Sequence, residues 1–125
     1  MTGVKDLIAA ANEAVPRISP EEARRMIAEE DALLVDVRDA NELAQTGALA
    51  GALNVSRGML EFRADEAGTY HDPAFRKDRP VILYCASGGR SALSGKTLRD
   101  MGYPHVYNLG GFKDAAEAGF PTGHG

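Results

Sequence analysis

Apolar positions along this chain follow two periods. Ala32-Leu33-Leu34-Val35-Asp36-Val37 and Val81-Ile82-Leu83-Tyr84-Cys85 are short, nearly continuous apolar runs, the pattern of strands buried on both faces. Ala52-Leu53-Asn54-Val55 and His105-Val106-Tyr107-Asn108-Leu109 read as two smaller strands. Stretches of helical spacing lie between them. The first is an Ala-rich leading helix from Val4, closed by Pro16, and the second opens at Ser19-Pro20-Glu21-Glu22. There Ser19 is expected to cap, Pro20 to take the first helical position and Glu22 to reach back and complete a capping box. Ala23, Met26 and Ile27 form the apolar stripe of that helix.

Further helices are expected from about Asp39 to Gln45, from a Ser56 cap through Met59, Leu60 and Phe62, from Ser91 to Met101 before Gly102, and from Phe112 to Ala118. Residues 68–73 form the longest irregular stretch. Strands that alternate with helices throughout predict an α/β fold with a mostly parallel central sheet and helices on both faces. The expected division is a leading helix over 1–15, one domain over 16–121 and a flexible tail over 122–125.

Composition narrows the function. At 125 residues and 44% hydrophobic, the chain supplies one domain with a real core. Fourteen basic against eighteen acidic residues give a formal charge of -4, so no basic face suits a nucleic-acid backbone. The apolar runs fall short of a bilayer span, and the start lacks a signal pattern. A soluble cytoplasmic protein with neither nucleic-acid nor membrane partners is expected. The single cysteine permits no internal disulfide and fits a reducing compartment.

That cysteine carries the chemistry. Ligands of open parallel sheets gather beyond the carboxyl ends of the strands, and Cys85 ends the strongest strand. Ala86-Ser87-Gly88-Gly89-Arg90 follows, small except for the arginine, and a helix begins directly afterwards. The paired glycines let successive N–H groups turn inward, so the sulfur lies in a ring of donors at a helix N-terminus, where a thiolate is favoured. Arg90 either binds an oxyanion such as thiosulfate or sulfite with its forked donors, or holds the loop's own carbonyls. A lone cysteine is ordinarily a buried small hydrophobe; the glycines, the arginine and the helix start shift the reading to a nucleophile.

The chain resembles the rhodanese homology domain from about Arg17 to Pro121. Three segments carry the resemblance: Asp36-Val37-Arg38 with Glu42 and the turn Gly47 to Asn54; the loop Tyr84-Cys85-Ala86-Ser87-Gly88-Gly89-Arg90-Ser91; and Leu109-Gly110-Gly111-Phe112 with Gly119-Phe120-Pro121. It implies a three-layer fold with about five strands, a Cys85 persulfide, and amides from Ala86 to Ser91 that hold the outer sulfur. The implied activity is sulfurtransfer from thiosulfate or a related small-molecule donor to cyanide, a thiol or a protein acceptor, with no cofactor. One departure is the turn Gly47-Ala48-Leu49-Ala50-Gly51-Ala52, where the family usually has Gly-His-Ile-Pro-Gly-Ala.

Cysteine phosphatases, including those that share this fold, place five residues between cysteine and arginine, whereas Ala86, Ser87, Gly88 and Gly89 make four. The tighter ring suits a single sulfur rather than a tetrahedral phosphate, Tyr84 replaces a histidine before Cys85, and no acid stands ready to protonate a leaving group. Sulfurtransfer is therefore preferred to phosphatase or arsenate-reductase chemistry, with a low-turnover sulfur carrier or regulatory binding module as the main alternative.

Other residues have plainer roles. Asp36, Arg38 and Glu42 are expected to form a hydrogen-bonded set that fixes the next loop. Arg57 either reaches an anionic donor or is a surface arginine. Met59 and Phe62, at helical spacing, are expected in the core rather than the pocket wall. His71, His105 and His124 form no metal-ligand spacing, so no metal is expected.

Overall fold

The computed structural model describes residues 2–123. Its elements follow the expected alternation: α1 (Val4–Ala14), α2 (Pro20–Glu30), β1 (Leu33–Asp36), α3 (Ala40–Thr46), β2 (Ala48–Leu49), β3 (Leu53–Asn54), a 3-10 turn Arg57–Met59, α4 (Leu60–Ala64), β4 (Val81–Cys85), α5 (Gly89–Asp100), β5 (Val106–Gly111), α6 (Phe112–Glu117) and β6 (Thr122–Gly123). The main sheet has the order β3-β1-β4-β5, with every pairing parallel. A single parallel bridge between Arg17 and Asn108 extends its β5 edge.

Strand alternation divides the core in two. Val81, Leu83 and Cys85 of β4 point to one face with Leu33, Val35, Leu60, Phe75, Leu98 and Tyr103, while Ile82 and Tyr84 point to the other with Ala23, Met26, Leu34, Leu49, Leu109 and Phe120. All five β4 residues are buried, as the continuous apolar run requires. Full burial of each aliphatic side chain here stabilises the fold by roughly 1.5–3 kcal/mol.

Several local expectations are corrected. Ser19 accepts from the Glu22 amide at 3.1 Å, but the Glu22 carboxylate turns to Arg25, at 2.6 Å, so the box expected there is half made. The missing half forms instead at Asp39, whose amide donates to Glu42 Oε2 at 2.9 Å while its own side chain makes no cap. Ser56 makes no side-chain cap, and a 3-10 turn precedes α4. Phe62, expected in the core, is 56% exposed. The long irregular stretch is anchored by buried Phe75, edge-on to Tyr103, whose hydroxyl donates to the Ala64 carbonyl at 2.6 Å. Residues 122 and 123, expected in a flexible tail, pair antiparallel with β2. His124 and Gly125 lie outside the described residues.

Candidate active site

β4 and α5 meet at the loop that holds Cys85. Gly88 caps α5 with a left-handed φ of 104°, a conformation that glycine adopts without a side-chain clash, so the helix begins at Gly89, two residues earlier than expected. The reversal brings the Gly88 amide to 3.0 Å from Cys85 Sγ. The Ser91 hydroxyl, in the first turn of the helix, lies 3.5 Å from the same sulfur. Cys85 is 1% exposed, whereas Ala86 and Ser87 at the crest of the loop are exposed.

Burial by itself would raise the thiol pKa. The Ser91 hydroxyl and the amides of Ser91, Gly88 and Ser87 outweigh it, and the net displacement is downward. The site therefore favours a thiolate at the end of a buried strand.

The flank of the loop comes from β5, whose register against β4 shifts between Leu83 and Tyr84, so that Leu83 opposes Asn108 while Tyr84 opposes Gly110. That shift seats Asn108 and Gly111 against the loop. A side chain at Gly111 would come within 2.6 Å of the Ala86 carbonyl oxygen, so the close approach requires glycine. Asn108, 1% exposed, donates from Nδ2 to the Gly88 carbonyl at 3.2 Å and accepts at Oδ1 from Gly110 N at 2.9 Å and from the Ser91 hydroxyl at 2.8 Å. By sequence pattern Asn108 falls in a strand and has no assigned role. An amide within a short apolar strand was the available signal, because a buried polar side chain must find partners.

The charged residues are brought together in pairs that differ from the expected set. Asp36 and Arg38 do pair, at 0% and 2% side-chain exposure and 2.7 Å, and the Arg38 guanidinium lies 4.6 Å from the Phe112 ring centre. Arg38 also donates to Thr46 Oγ1 at 2.8 Å and to the Gly47 carbonyl at 3.0 Å, which fixes the chain at both ends of α3. Glu42 is not a member of that set. The bond from the Asp39 amide holds the Glu42 carboxylate facing Arg90, which donates to it from Nη1 at 2.8 Å and from Nη2 at 3.0 Å. The Arg90 bonds, followed by the Asp39 amide, hold the Glu42 pKa down to about 2. Arg90 thus pairs with Glu42 rather than with the loop's own carbonyls. Arg57 binds Glu61 at 2.8 Å and Thr97 at 3.2 Å.

Met59 joins Asp39, Asn54, Ser56 and Arg63 around a cavity of about 260 Å³ at the carboxyl ends of β1 and β3. A cleft of about 730 Å³ opens over α2 beside Arg24, Arg25 and Glu29, and Cys85 does not line it. Among the described residues no cluster of histidine, cysteine or carboxylates could hold a metal ion, and no helix is long and apolar enough to cross a membrane.

A family model described as Rhodanese-like domain matches residues 19–118. The thiosulfate sulfurtransferase GlpE of Actinobacillus succinogenes is 34% identical over 109 residues, 86% of this chain and 90% of that protein. The uncharacterized protein YqhL of Bacillus subtilis is 41% identical over 83 residues, 66% of this chain, and the match spans 59% of YqhL's own length. Among solved structures, a Rhodopseudomonas palustris protein of unknown function, described as a possible tyrosine phosphatase, superposes with a TM-score of 0.89 at 35% identity, over 98% of this chain and 96% of that one.

Proposed function

Because this chain belongs to the rhodanese-like family, whose members include thiosulfate sulfurtransferases, we propose that it moves a sulfane sulfur from thiosulfate or a related anionic donor through a persulfide on Cys85. The observation that carries the reading is the Gly88 amide 3.0 Å from Cys85 Sγ, inside a loop of four residues between cysteine and arginine.

In the first step the Cys85 thiol gives its proton to solvent and the thiolate attacks the outer sulfur of the donor. A new S–S bond forms, the donor's own S–S bond breaks, and sulfite leaves with the bonding electron pair. The loop amides then face the terminal sulfur anion. In the second step a thiolate or cyanide attacks that sulfur and Cys85 departs as thiolate, so the cysteine ends as it began. The reading needs neither metal nor organic cofactor.

Anion binding falls in this scheme to the amides from Ala86 to Ser91. Arg90 is held by Glu42 and Arg57 by Glu61, so each carries its charge with a carboxylate already attached. We assign the catalytic unit to residues 16–121, with 1–15 as a leading helix, and the work of the enzyme to the cytoplasm, where a single cysteine stays reduced.

Intact mass after thiosulfate treatment tests the proposal. The wild type gains one sulfur atom and Cys85→Ser gains none; absence of gain in both overturns it. The description of the R. palustris neighbour makes phosphatase activity a second assay. Vanadate-sensitive hydrolysis of an aryl phosphate would reverse the order of the two readings, and persulfide formation with little turnover would mark a sulfur carrier.

A further inference from the structure

The Ser91 hydroxyl has one proton and three neighbours able to accept it. Asn108 Oδ1 lies at 2.8 Å, the Gly88 carbonyl at 3.2 Å and Cys85 Sγ at 3.5 Å. The Asn108 amide cannot turn over to change this. A flip would set its NH2 against the Gly110 N–H at 2.9 Å and its oxygen against the Gly88 carbonyl at 3.2 Å, two like-with-like contacts in a buried place. Oδ1 is therefore a fixed acceptor, aimed at Ser91.

We propose that Asn108 is a positioning residue that competes with Cys85 for the Ser91 proton. While Cys85 is a thiol, its S–H points to Ser91 Oγ and the Ser91 hydroxyl donates to Asn108. When the sulfur becomes an anion the hydroxyl turns to it, and Oγ and Oδ1 are left facing each other as two acceptors 2.8 Å apart. That repulsion sets a limit on how strongly Ser91 can stabilise the thiolate. The consequence is kinetic, since a less stabilised thiolate attacks faster while a more stabilised one leaves faster. Asn108 thereby favours the loading step over the unloading step.

The charged side chains around the sulfur are engaged with partners, apart from Arg17. Arg90 of α5 is bound to Glu42 of α3, Asp36 at the end of β1 to Arg38, and Arg57 to Glu61, while β5 contributes no carboxylate or basic side chain. Arg17 lies beside the loop, its Nη1 3.7 Å from where a Gly88 Cβ would stand and its guanidinium against Gly110, and it is the same in the wild type and in every variant.

The inference builds on Cys85 as the nucleophile, yet its test reads the thiol whether or not sulfur is transferred, so failed thiosulfate loading and a failed competition are separate results. Ultraviolet titration of the thiolate is followed in wild type, Asn108→Ala, Ser91→Ala and the double variant. Asn108→Ala releases the Ser91 proton to the sulfur, and the thiolate fraction at a fixed pH below the midpoint rises about tenfold. In the Ser91→Ala background the same substitution shifts nothing. A loop merely loosened by loss of Asn108 would give the opposite sign, because the amide donors would be lost. Should alanine fail to fold, Asn108→Val, which suits a strand and fills most of the volume, takes its place. A fall or no change in the thiolate fraction, or a rise that persists without Ser91, overturns the proposal.

Discussion

Glu42 and Arg90, forty-eight residues apart, are joined by two parallel hydrogen bonds of 2.8 and 3.0 Å between the first turn of α3 and the first turn of α5. The pair ties the loop that holds Cys85 to the segment leaving β1. It also occupies the guanidinium that the sequence offered as an oxyanion clamp.

Stability should report this pair in acid. The Glu42 pKa lies at about 2, below its ordinary 4.5, so the contribution is complete above pH 4.5 and is lost as the pH falls toward 2. With the carboxylate 29% exposed, the contribution is about 1 kcal/mol. Urea midpoints measured from pH 6 to pH 2 should converge for wild type and Glu42→Gln; curves that remain parallel would show that the pair contributes nothing through ionisation.

Cys85 should be alkylated at lower pH than an ordinary cysteine. Its pKa is displaced downward in the folded chain, so the half-maximal rate of reaction with iodoacetamide shifts upward when the protein is unfolded in urea. The linked stability is fully present above the unfolded thiol pKa and lost as pH falls through the folded one. Identical profiles for folded and unfolded protein would contradict the donor ring.

Breaking the buried pair one partner at a time should be severe. Asp36→Ala leaves Arg38, 2% exposed, without its counter-charge, and a loss of about 3–5 kcal/mol is expected in urea unfolding. Replacement of both by apolar residues of similar volume should cost far less. Equal losses from the single and double variants would mean that packing rather than charge decides the outcome.

Gly111→Ala places a methyl group 2.6 Å from the Ala86 carbonyl oxygen, a backbone atom that cannot swing aside. Destabilisation of about 1–3 kcal/mol is expected from the forced shift. Persulfide loading should fall at least tenfold, because the displaced segment is the one that supplies the amides. Unchanged loading would show that the loop does not depend on β5 for its shape.

How much of this was legible beforehand followed physical range. β1 and β4 were readable because burial on both faces writes a continuous apolar run, and Gly88-Gly89 after Cys85 announced a tight reversal into a helix. The β2–β6 ladder was not, since two-residue strands joined by backbone bonds leave no side-chain pattern. Nearness in sequence groups Glu42 with Asp36 and Arg38, but the bond from the Asp39 amide turns its carboxylate toward α5. Asn108 escaped because its partners are set by a register shift in β5, which only the three-dimensional pairing reveals.

The depth of Cys85 has a consequence for what the molecule displays. With one cysteine in the chain, a disulfide requires a second molecule, and two sulfurs must come within about 2 Å to bond. At 1% exposure beneath Ala86 and Ser87, the bare sulfur is open to a small reagent but not to a cysteine buried in the same way on another folded copy, so copies of the chain stay unlinked in oxidant. Under the proposed mechanism, a transferred sulfur would lengthen the side chain by about 2 Å. A protein acceptor would then meet the cargo, while the cysteine that carries it stays beyond that acceptor's reach.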